Sequence, residues 1–225
     1  MKLPADIEAE ILSRASMSGL DYATRSRYAR RIRVVREQMM RLSAEFAPGT
    51  SCAARYADAY FLSNFPANLM KTMRVINEVL LHCASFPGGR SRVRVLDIGC
   101  GEGAGLLGTY YALRSAYPTL EFRLTGIDRS AKMLERGRQM VRSIGGRETR
   151  VKVRLLNLDA ADVSQAVYDR KCDIVLCVNS LAEIVKEPVL PRDLMSRLYG
   201  CVADDGVFVI IEPALKVFSR RLMEL

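Results

Sequence analysis

The chain has 225 residues, which is long enough for one α/β domain with an added helical region and too short for two large domains. Apolar residues make up 49% of it, which argues against disorder, and its apolar runs are too short and too often broken by charge to span a membrane. The net charge of +9 leaves two classes open: a protein that binds a polyanion such as RNA or DNA, and an ordinary basic enzyme.

The N-terminus and the cysteines predict a cytoplasmic protein. The opening MKLPADIEAEIL has early acidic residues and no apolar core, unlike signal and transit peptides. The cysteines form no C-x-x-C pair, so we expect free thiols and neither disulfides nor a metal site. The one histidine, His82, falls on the apolar face of a predicted helix, where packing is favoured over catalysis. The cysteines are Cys52, Cys83, Cys100, Cys172, Cys177 and Cys201.

Residues 1–89 predict a helical region. Pro4 suits the first turn of a helix that continues through Ile7 and Ile11. A longer helix, capped by Asp21 or Thr24, keeps its apolar residues within roughly 80° of arc. The rest of its circumference is rich in arginine and nearly lacks carboxylates, which leaves open a solvated face or contact with a phosphate backbone. These arginines are Arg25, Arg27, Arg30, Arg31, Arg33, Arg36 and Arg41.

A further helix leads to a predicted domain boundary. We expect Pro66 near the start of this helix. The sequence FPGG at 86–89 ends the helical pattern, so a second domain is placed at residues 90–225. The apolar stripe of the helix is Leu69, Met73, Ile76 and Leu80.

After the boundary, apolar strands alternate with helical segments. This order predicts an α/β fold whose mostly parallel sheet has helices on both faces and binds its ligand at the carboxyl ends of the strands. The strands are predicted at 93–98, 122–127, 151–158, 173–178 and 207–211. The helices are predicted at 104–116, 131–143, 161–168 and 191–202.

The sequence VLDIGCGEGAG follows the pattern of a nucleotide-binding turn. Gly99, Gly101 and Gly103 allow the backbone to turn sharply and approach a ligand closely. With Ala104 the spacing also satisfies the dinucleotide fingerprint, which by itself does not identify the ligand. Asp97, however, would repel a pyrophosphate, whereas a ligand with an ammonium group and no phosphate, such as S-adenosylmethionine, suits this position.

Two more acids follow the next two strands. Asp128 ends the second strand, where a carboxylate can accept hydrogen bonds from ribose hydroxyls. Asp159 follows the third strand, in reach of an adenine amino group. Each could instead cap a helix, but three acids at successive strand ends favour a cofactor site.

Residues 90 to 213 resemble the class I S-adenosylmethionine-dependent methyltransferases, through LDIGCGEG, GIDRS, NLDAAD and CDIVLCVNSLAEI. The resemblance implies a Rossmann-like sheet in which Asp97 and the glycines line the methionine end of the cofactor. It further implies that Asp128 holds the ribose, that Asp159 and Ala160 hold the adenine, and that Asn179 and Ser180 face the methyl group. The predicted cofactor-binding residues are Asp97, Gly99, Cys100, Gly101, Gly103, Asp128, Arg129, Met133, Asp159, Ala160, Asn179 and Ser180.

A narrower resemblance is to the methyltransferase-like family of the ribosomal small subunit, known from mitochondria and bacteria. It rests on a helix with Tyr56, Tyr60 and Pro66, on LAEI, and on Glu212-Pro213 followed by Arg220 and Arg221. This sequence departs from that family in lacking the cysteine motifs thought to hold an iron–sulfur cluster. The sheet also ends before the usual last two strands, so we expect either a fragment or an open sheet edge that a protein partner covers.

Methyl transfer needs alignment more than acid–base catalysis, because the thioether is a good leaving group. Asn179 and Glu183 are the candidate catalytic residues, although Glu183 could equally be a first-turn helix acid. Three hypotheses remain: a methyltransferase of ribosomal RNA or the small subunit, a small-molecule methyltransferase with a helical lid, and a non-catalytic ribosome assembly factor.

Overall fold

A computed structural model describes residues 2–14, 57–83, 86–145, 150–167, 171–184 and 193–212. The predicted arginine-rich helix lies outside these residues, and so do the side chains of Tyr60 and Glu183. Also outside them lie Arg25, Arg27, Arg30, Arg31, Arg33, Arg36, Arg41, Cys52, Tyr56, Pro213, Arg220 and Arg221.

The described chain begins with helices and then alternates strands with helices, as the sequence predicts. The helices are α1 (Ala5–Arg14), α2 (Ala57–His82), α3 (Ala104–Ala116), α4 (Ala131–Gly145), α5 (Leu181–Ile184) and α6 (Leu194–Gly200), with a 3₁₀ helix at Ala160–Ala166. The strands are β1 (Arg92–Ile98), β2 (Glu121–Asp128), β3 (Val151–Asn157), β4 (Cys172–Val178) and β5 (Val202–Ile211).

The five strands form one parallel sheet in the order β3-β2-β1-β4-β5. Successive strands are added on one side of β1 up to β3 and on its other side from β4 onward, and the carboxyl ends of β1 and β4 define the crevice where α/β folds bind ligands. Every residue of β4 is buried, as expected for a strand covered on both faces. The predicted α/β class is confirmed.

Both faces of the sheet carry apolar core. On one face, Leu106 and Leu113 of α3 pack with Val93 and Val95 of β1. On the other, Leu194 of α6 belongs to the cluster that covers the carboxyl half of the strands. Helices therefore cover both faces of the sheet near the carboxyl ends of its strands.

The N-terminal helices pack on the α/β domain. Ile7 of α1 and Phe65 and Leu69 of α2 are fully buried or nearly so. They join a cluster that also contains Leu107 of α3 and Met140 of α4. This contact brings α2 next to the glycine turn that precedes α3. The predicted apolar stripe of α2 is confirmed, since Leu69 and Ile76 are 0% exposed.

Two predictions about α2 were wrong. Pro66 lies inside the helix rather than near its start. Burial of Phe61 and Phe65 stabilises the helix through packing, which offsets the hydrogen bond that a proline removes. His82 is not packed: its side chain is 79% exposed at the end of the helix, 3.6 Å from Glu78.

Three further elements differ from their predicted type or bounds. The segment predicted as a helix at 161–168 is a 3₁₀ helix, interrupted at Asp162 by a non-helical backbone conformation. The helix predicted at 191–202 is described only from Leu194 to Gly200. β5 begins at Val202, because this residue pairs with Cys172 of β4, whereas Asp204 and Asp205 hide the strand pattern in the sequence.

Five of the cysteines are described as free thiols, and Cys177 is fully buried in β4. Within the described residues, no helix is long and apolar enough to cross a membrane.

Candidate cofactor site

The turn after β1 depends on its glycines. Gly99, Gly101 and Gly103 have φ angles of 69°, 51° and 85°, a region that residues with a side chain rarely adopt. A Cβ on Gly99 would lie 2.4 Å from the Cβ of Ser180. The backbone therefore passes very close to the residues after β4, and the predicted sharp turn is present.

Asp97 lies beneath this turn and is 1% exposed. Among the described residues, neither of its carboxylate oxygens has a hydrogen-bond partner. A Cβ on Gly105 would lie 2.4 Å from Oδ2, so the carboxylate fills the space that this glycine leaves at the start of α3. Burial, with a further contribution from nearby Asp128, raises the pKa of Asp97 to about 8, although the backbone N–H of Leu106 acts in the opposite direction. The carboxyl group is thus buried with no cationic side chain paired to it among the described residues.

Asp128 connects the ends of two neighbouring strands. Its carboxylate accepts hydrogen bonds from the backbone N–H of Gly101 at 2.8 Å and of Ser130 at 2.7 Å. Burial raises its pKa even though these hydrogen bonds act in the opposite direction. Because each carboxylate oxygen has two lone pairs, Asp128 can still accept from a ligand hydroxyl. Asn157, which the sequence analysis missed, donates to the Asp128 carbonyl at 2.9 Å.

Asp159 caps the 3₁₀ helix. It is exposed, and its Oδ1 accepts from the N–H of Ala161 at 3.0 Å. This is the capping role that the sequence left open. Its contact with adenine, like that of half-buried Ala160, stays a prediction.

Asn179 and Ser180 follow β4 at the same edge of the sheet. Asn179 has a φ of 54°, the one positive value for a non-glycine residue in the described backbone. Its Nδ2 donates to Oδ1 of Asn68 in α2 at 2.7 Å, whereas its own Oδ1 is buried and has no hydrogen-bond partner among the described residues. Such strain in a residue with a side chain is common at functional sites. Ser180 donates to the Ile98 carbonyl at 2.6 Å, which joins the ends of β4 and β1.

The remaining predicted residues surround the turn at different depths. Cys100 is buried, with its Sγ 3.8 Å from the Gly101 carbonyl. Met133 is buried, and its terminal methyl would lie 3.5 Å from a Cβ on Gly101. Arg129 is exposed.

A cavity of about 30 Å³ joins these residues to α2, since Phe65 and Asn68 line it together with Asp97, Gly99 and Val178. That volume holds about one water molecule, or one small polar group of a ligand, beside Asp97. Asn68 is 6% exposed, and the sequence analysis missed it. The feature of the sequence that could have indicated Asn68 is a polar amide next to the apolar stripe of this helix.

The site fits S-adenosylmethionine. A buried carboxylate without a partner favours a cationic group, and the cofactor carries both an ammonium and a sulfonium. A pyrophosphate next to Asp97 would be repelled, so a dinucleotide does not fit. Asp97 and the glycine turn would hold the amino-acid end, with Asp128 and Asp159 toward the nucleoside.

Part of the chain matches a known family model. Residues 95–206 match the family model described as a methyltransferase domain. No curated protein matches the sequence.

Three solved structures show similarity to the chain, all at low identity. The plantazolicin methyltransferase BpumL, in complex with S-adenosylhomocysteine, has a TM-score of 0.48 and 17% identity, covering 79% of this chain and 61% of its own. A Thiobacillus denitrificans SAM-dependent methyltransferase, also with S-adenosylhomocysteine, has a TM-score of 0.41 and 18% identity over 68% of this chain and 54% of its own. A Burkholderia thailandensis O-methyltransferase family protein has a TM-score of 0.45 and 20% identity over 69% and 41%. The chain thus spans between 41% and 61% of the length of these proteins.

The parallel sheet, the glycine turn and its acids define a class I methyltransferase domain. Residues 95–206 match a methyltransferase domain, and the acid-lined glycine turn in this segment fits S-adenosylmethionine as the cofactor.

Proposed function

We propose that this chain transfers a methyl group from S-adenosylmethionine to ribosomal RNA or to another component of the small ribosomal subunit. One observation carries the methyl-transfer part of the proposal. Asp97, whose carboxylate oxygens have no hydrogen-bond partner among the described residues, and Asn179, whose φ is positive, lie at the same edge of the sheet. The first suits the cationic cofactor, and the second offers an unused amide oxygen where the carboxyl ends of β1 and β4 meet.

Each residue has a defined task in this proposal. When bound, S-adenosylmethionine would supply an electrophilic methyl group. The thioether left after the transfer is a good leaving group and needs no acid assistance. Asp97 gives up its proton when a cation enters, because a positive neighbour favours the carboxylate. Asn179 Oδ1 orients the acceptor by accepting a hydrogen bond, since an amide is not basic enough to remove a proton. The role of Glu183 as a base stays a prediction.

The ribosomal acceptor is supported by charge and by the narrower family resemblance. The chain carries 34 Lys and Arg against 25 Asp and Glu. Arginine is the side chain best suited to phosphate recognition. The arginine-rich segment with Arg25, Arg27, Arg30, Arg31, Arg33 and Arg36 supports an RNA partner, as does the motif around Glu212.

One structural observation favours a second candidate, a small-molecule methyltransferase. Phe65 and Asn68 of α2 close over the glycine turn, as a helical lid over a compact substrate pocket would. A lid of this kind suits a small acceptor more readily than a base within a folded RNA.

The two candidates are distinguished by incubating the protein with methyl-tritiated S-adenosylmethionine and small ribosomal subunits. We expect label in the RNA or protein of the subunit, and none with the Asp97→Asn variant. Transfer only to small-molecule extracts would support the second candidate. Cofactor binding without transfer to either would show a non-catalytic protein.

A further inference from the structure

A second and larger cavity, here named the basic groove, lies away from the cofactor site. Its volume is about 690 Å³, and it opens on the sheet surface formed by the amino halves of β1, β2 and β3. Its described lining contains five cationic side chains and no carboxylate. The cationic residues are Arg92, Arg94, Arg123, Lys152 and Arg154.

The strand register puts three of these cations in a row. Arg94 pairs with Arg123 in the parallel alignment of β1 and β2, and Arg123 pairs with Lys152 in that of β2 and β3. Paired residues point to the same face, about 4.8 Å apart from strand to strand. Like charges placed directly opposite each other destabilise a sheet, and a bound anion would offset this repulsion.

The neighbouring carboxylates neutralise the row only in part. Glu121 pairs mainly with Arg92, at 2.7 Å, and is 3.5 Å from Arg123. Asp173 accepts from the backbone N–H of Arg94 and pairs with Arg90, not with the Arg94 guanidinium. Among the described residues, Arg94 and Lys152 form no salt bridge within 4 Å, and Glu121 acts on Lys152 only at longer range.

The sheet face is covered at one end and open at the other. Further along it, Leu96 and Ile98 of β1 and Ile127 of β2 are buried in the cluster under the 3₁₀ helix and α6. At the amino end, Lys152 and Arg154 are exposed, and Arg94 and Arg123 are partly exposed. The cations therefore line a surface that a large ligand can reach.

We propose that the basic groove binds the phosphate backbone of RNA. Its cations form a line across three strands and do not converge on one point, so they match an extended polyanion better than a single phosphate. Arginine forks bind phosphate oxygens in pairs.

The choice of RNA as the polyanion rests on the proposed function. The row is five residue steps from the cofactor turn, from Arg94 to Gly99, which is about 16 Å along β1. The groove thus anchors the RNA at a distance from the methyl group and takes no part in the transfer itself.

The experiment measures fluorescence anisotropy of a labelled single-stranded RNA of about 12 nucleotides, without cofactor, over a salt series. The test variant combines Arg94→Gln, Arg123→Gln and Lys152→Gln. Loss of three phosphate contacts should reduce the slope of log K against log salt by about 2 and weaken binding about a hundredfold near 0.1 M salt. The matched control combines Lys71→Gln, Arg74→Gln and Arg142→Gln, which removes three exposed charges outside the groove and should change the slope much less.

A charge-preserving variant, Arg94→Lys with Arg123→Lys, should keep most of the slope. Equal loss in the test and control variants would overturn the proposal, since only overall charge would then matter. Loss of binding to phosphatidylserine vesicles with unchanged RNA binding would overturn it in favour of a membrane surface. Titration of S-adenosylmethionine into the same variant confirms its fold, and because RNA binding is measured without cofactor, each proposal can fail alone.

Discussion

The two ends of one parallel sheet carry opposite chemistry. At the carboxyl ends, Asp97 is buried without a partner and is sealed by α2. At the amino ends, Arg94, Arg123 and Lys152 form an open row. A buried charge in a cavity of water size selects a small cationic group, whereas an open line of charges suits a long anion. The same sheet can therefore hold a cofactor and a polyanion without mixing their sites.

The largest effect is expected for Gly99→Ala, which tests how tightly the carboxyl end is built. The new methyl would meet the Ser180 Cβ at 2.4 Å, at a φ of 69° that alanine disfavours. We expect the free energy of unfolding, from urea titration, to fall by about 3 kcal/mol or more.

Gly89→Ala is the matched control, because its φ is 73° and no atom lies within 4 Å of the added Cβ. It should cost only the backbone strain, about 1 to 2 kcal/mol. Equal losses in the two variants would show that the contact with Ser180 does not hold the turn in place.

The second prediction concerns stability against pH. The pKa of Asp97 is raised from 3.8 to about 8, so between these values the folded protein keeps a proton that the unfolded chain releases. The free energy of unfolding should therefore fall as pH rises from about 4 to about 8, by at most 1.4 kcal/mol per pH unit from this group, and level off above pH 8.

Asp97→Asn should remove this component of the slope, which chemical denaturation at pH 5, 6, 7 and 8 would measure. A slope unchanged by the substitution would mean that Asp97 is ionised or solvated in the folded protein, contrary to its burial.

Much of this fold can be predicted from the sequence, because it depends on patterns among residues that are close together in the chain. Apolar strands alternating with helical segments predicted all five strands, and the glycine spacing predicted the turn. The contact between Asn68 and Asn179 joins residues 111 positions apart, so no local pattern indicates it. The row in the basic groove depends on strand register, which the order of elements alone does not give.

The contact between α2 and the carboxyl end can be tested with Asn68→Ala. This change leaves the Nδ2 of half-buried Asn179 without its acceptor and should lower the free energy of unfolding by about 1 to 2 kcal/mol. Asn77→Ala, at a half-buried position of the same helix, is the control. In a double-mutant cycle, Asn68→Ala and Asn179→Ala should be less than additive, and strict additivity would argue against the contact.

The smallest effect is expected at Asp159. Because Asp159→Ala removes a cap on an exposed 3₁₀ helix, thermal unfolding should show a loss of about 0.5 to 1 kcal/mol. If the carboxylate also holds the adenine, the dissociation constant of S-adenosylmethionine should rise as well. An unchanged constant would limit Asp159 to the cap.

The central claim is that the acid-lined carboxyl end binds S-adenosylmethionine through Asp97. Isothermal titration of the cofactor at pH 7, in two buffers of different ionisation enthalpy, tests it most directly. The account predicts binding whose heat depends on the buffer, because Asp97 releases a proton as the cation enters, and predicts that Asp97→Asn weakens binding and removes the buffer dependence. Absence of binding to the unmodified chain, or equal affinity and equal proton release in the variant, would contradict it.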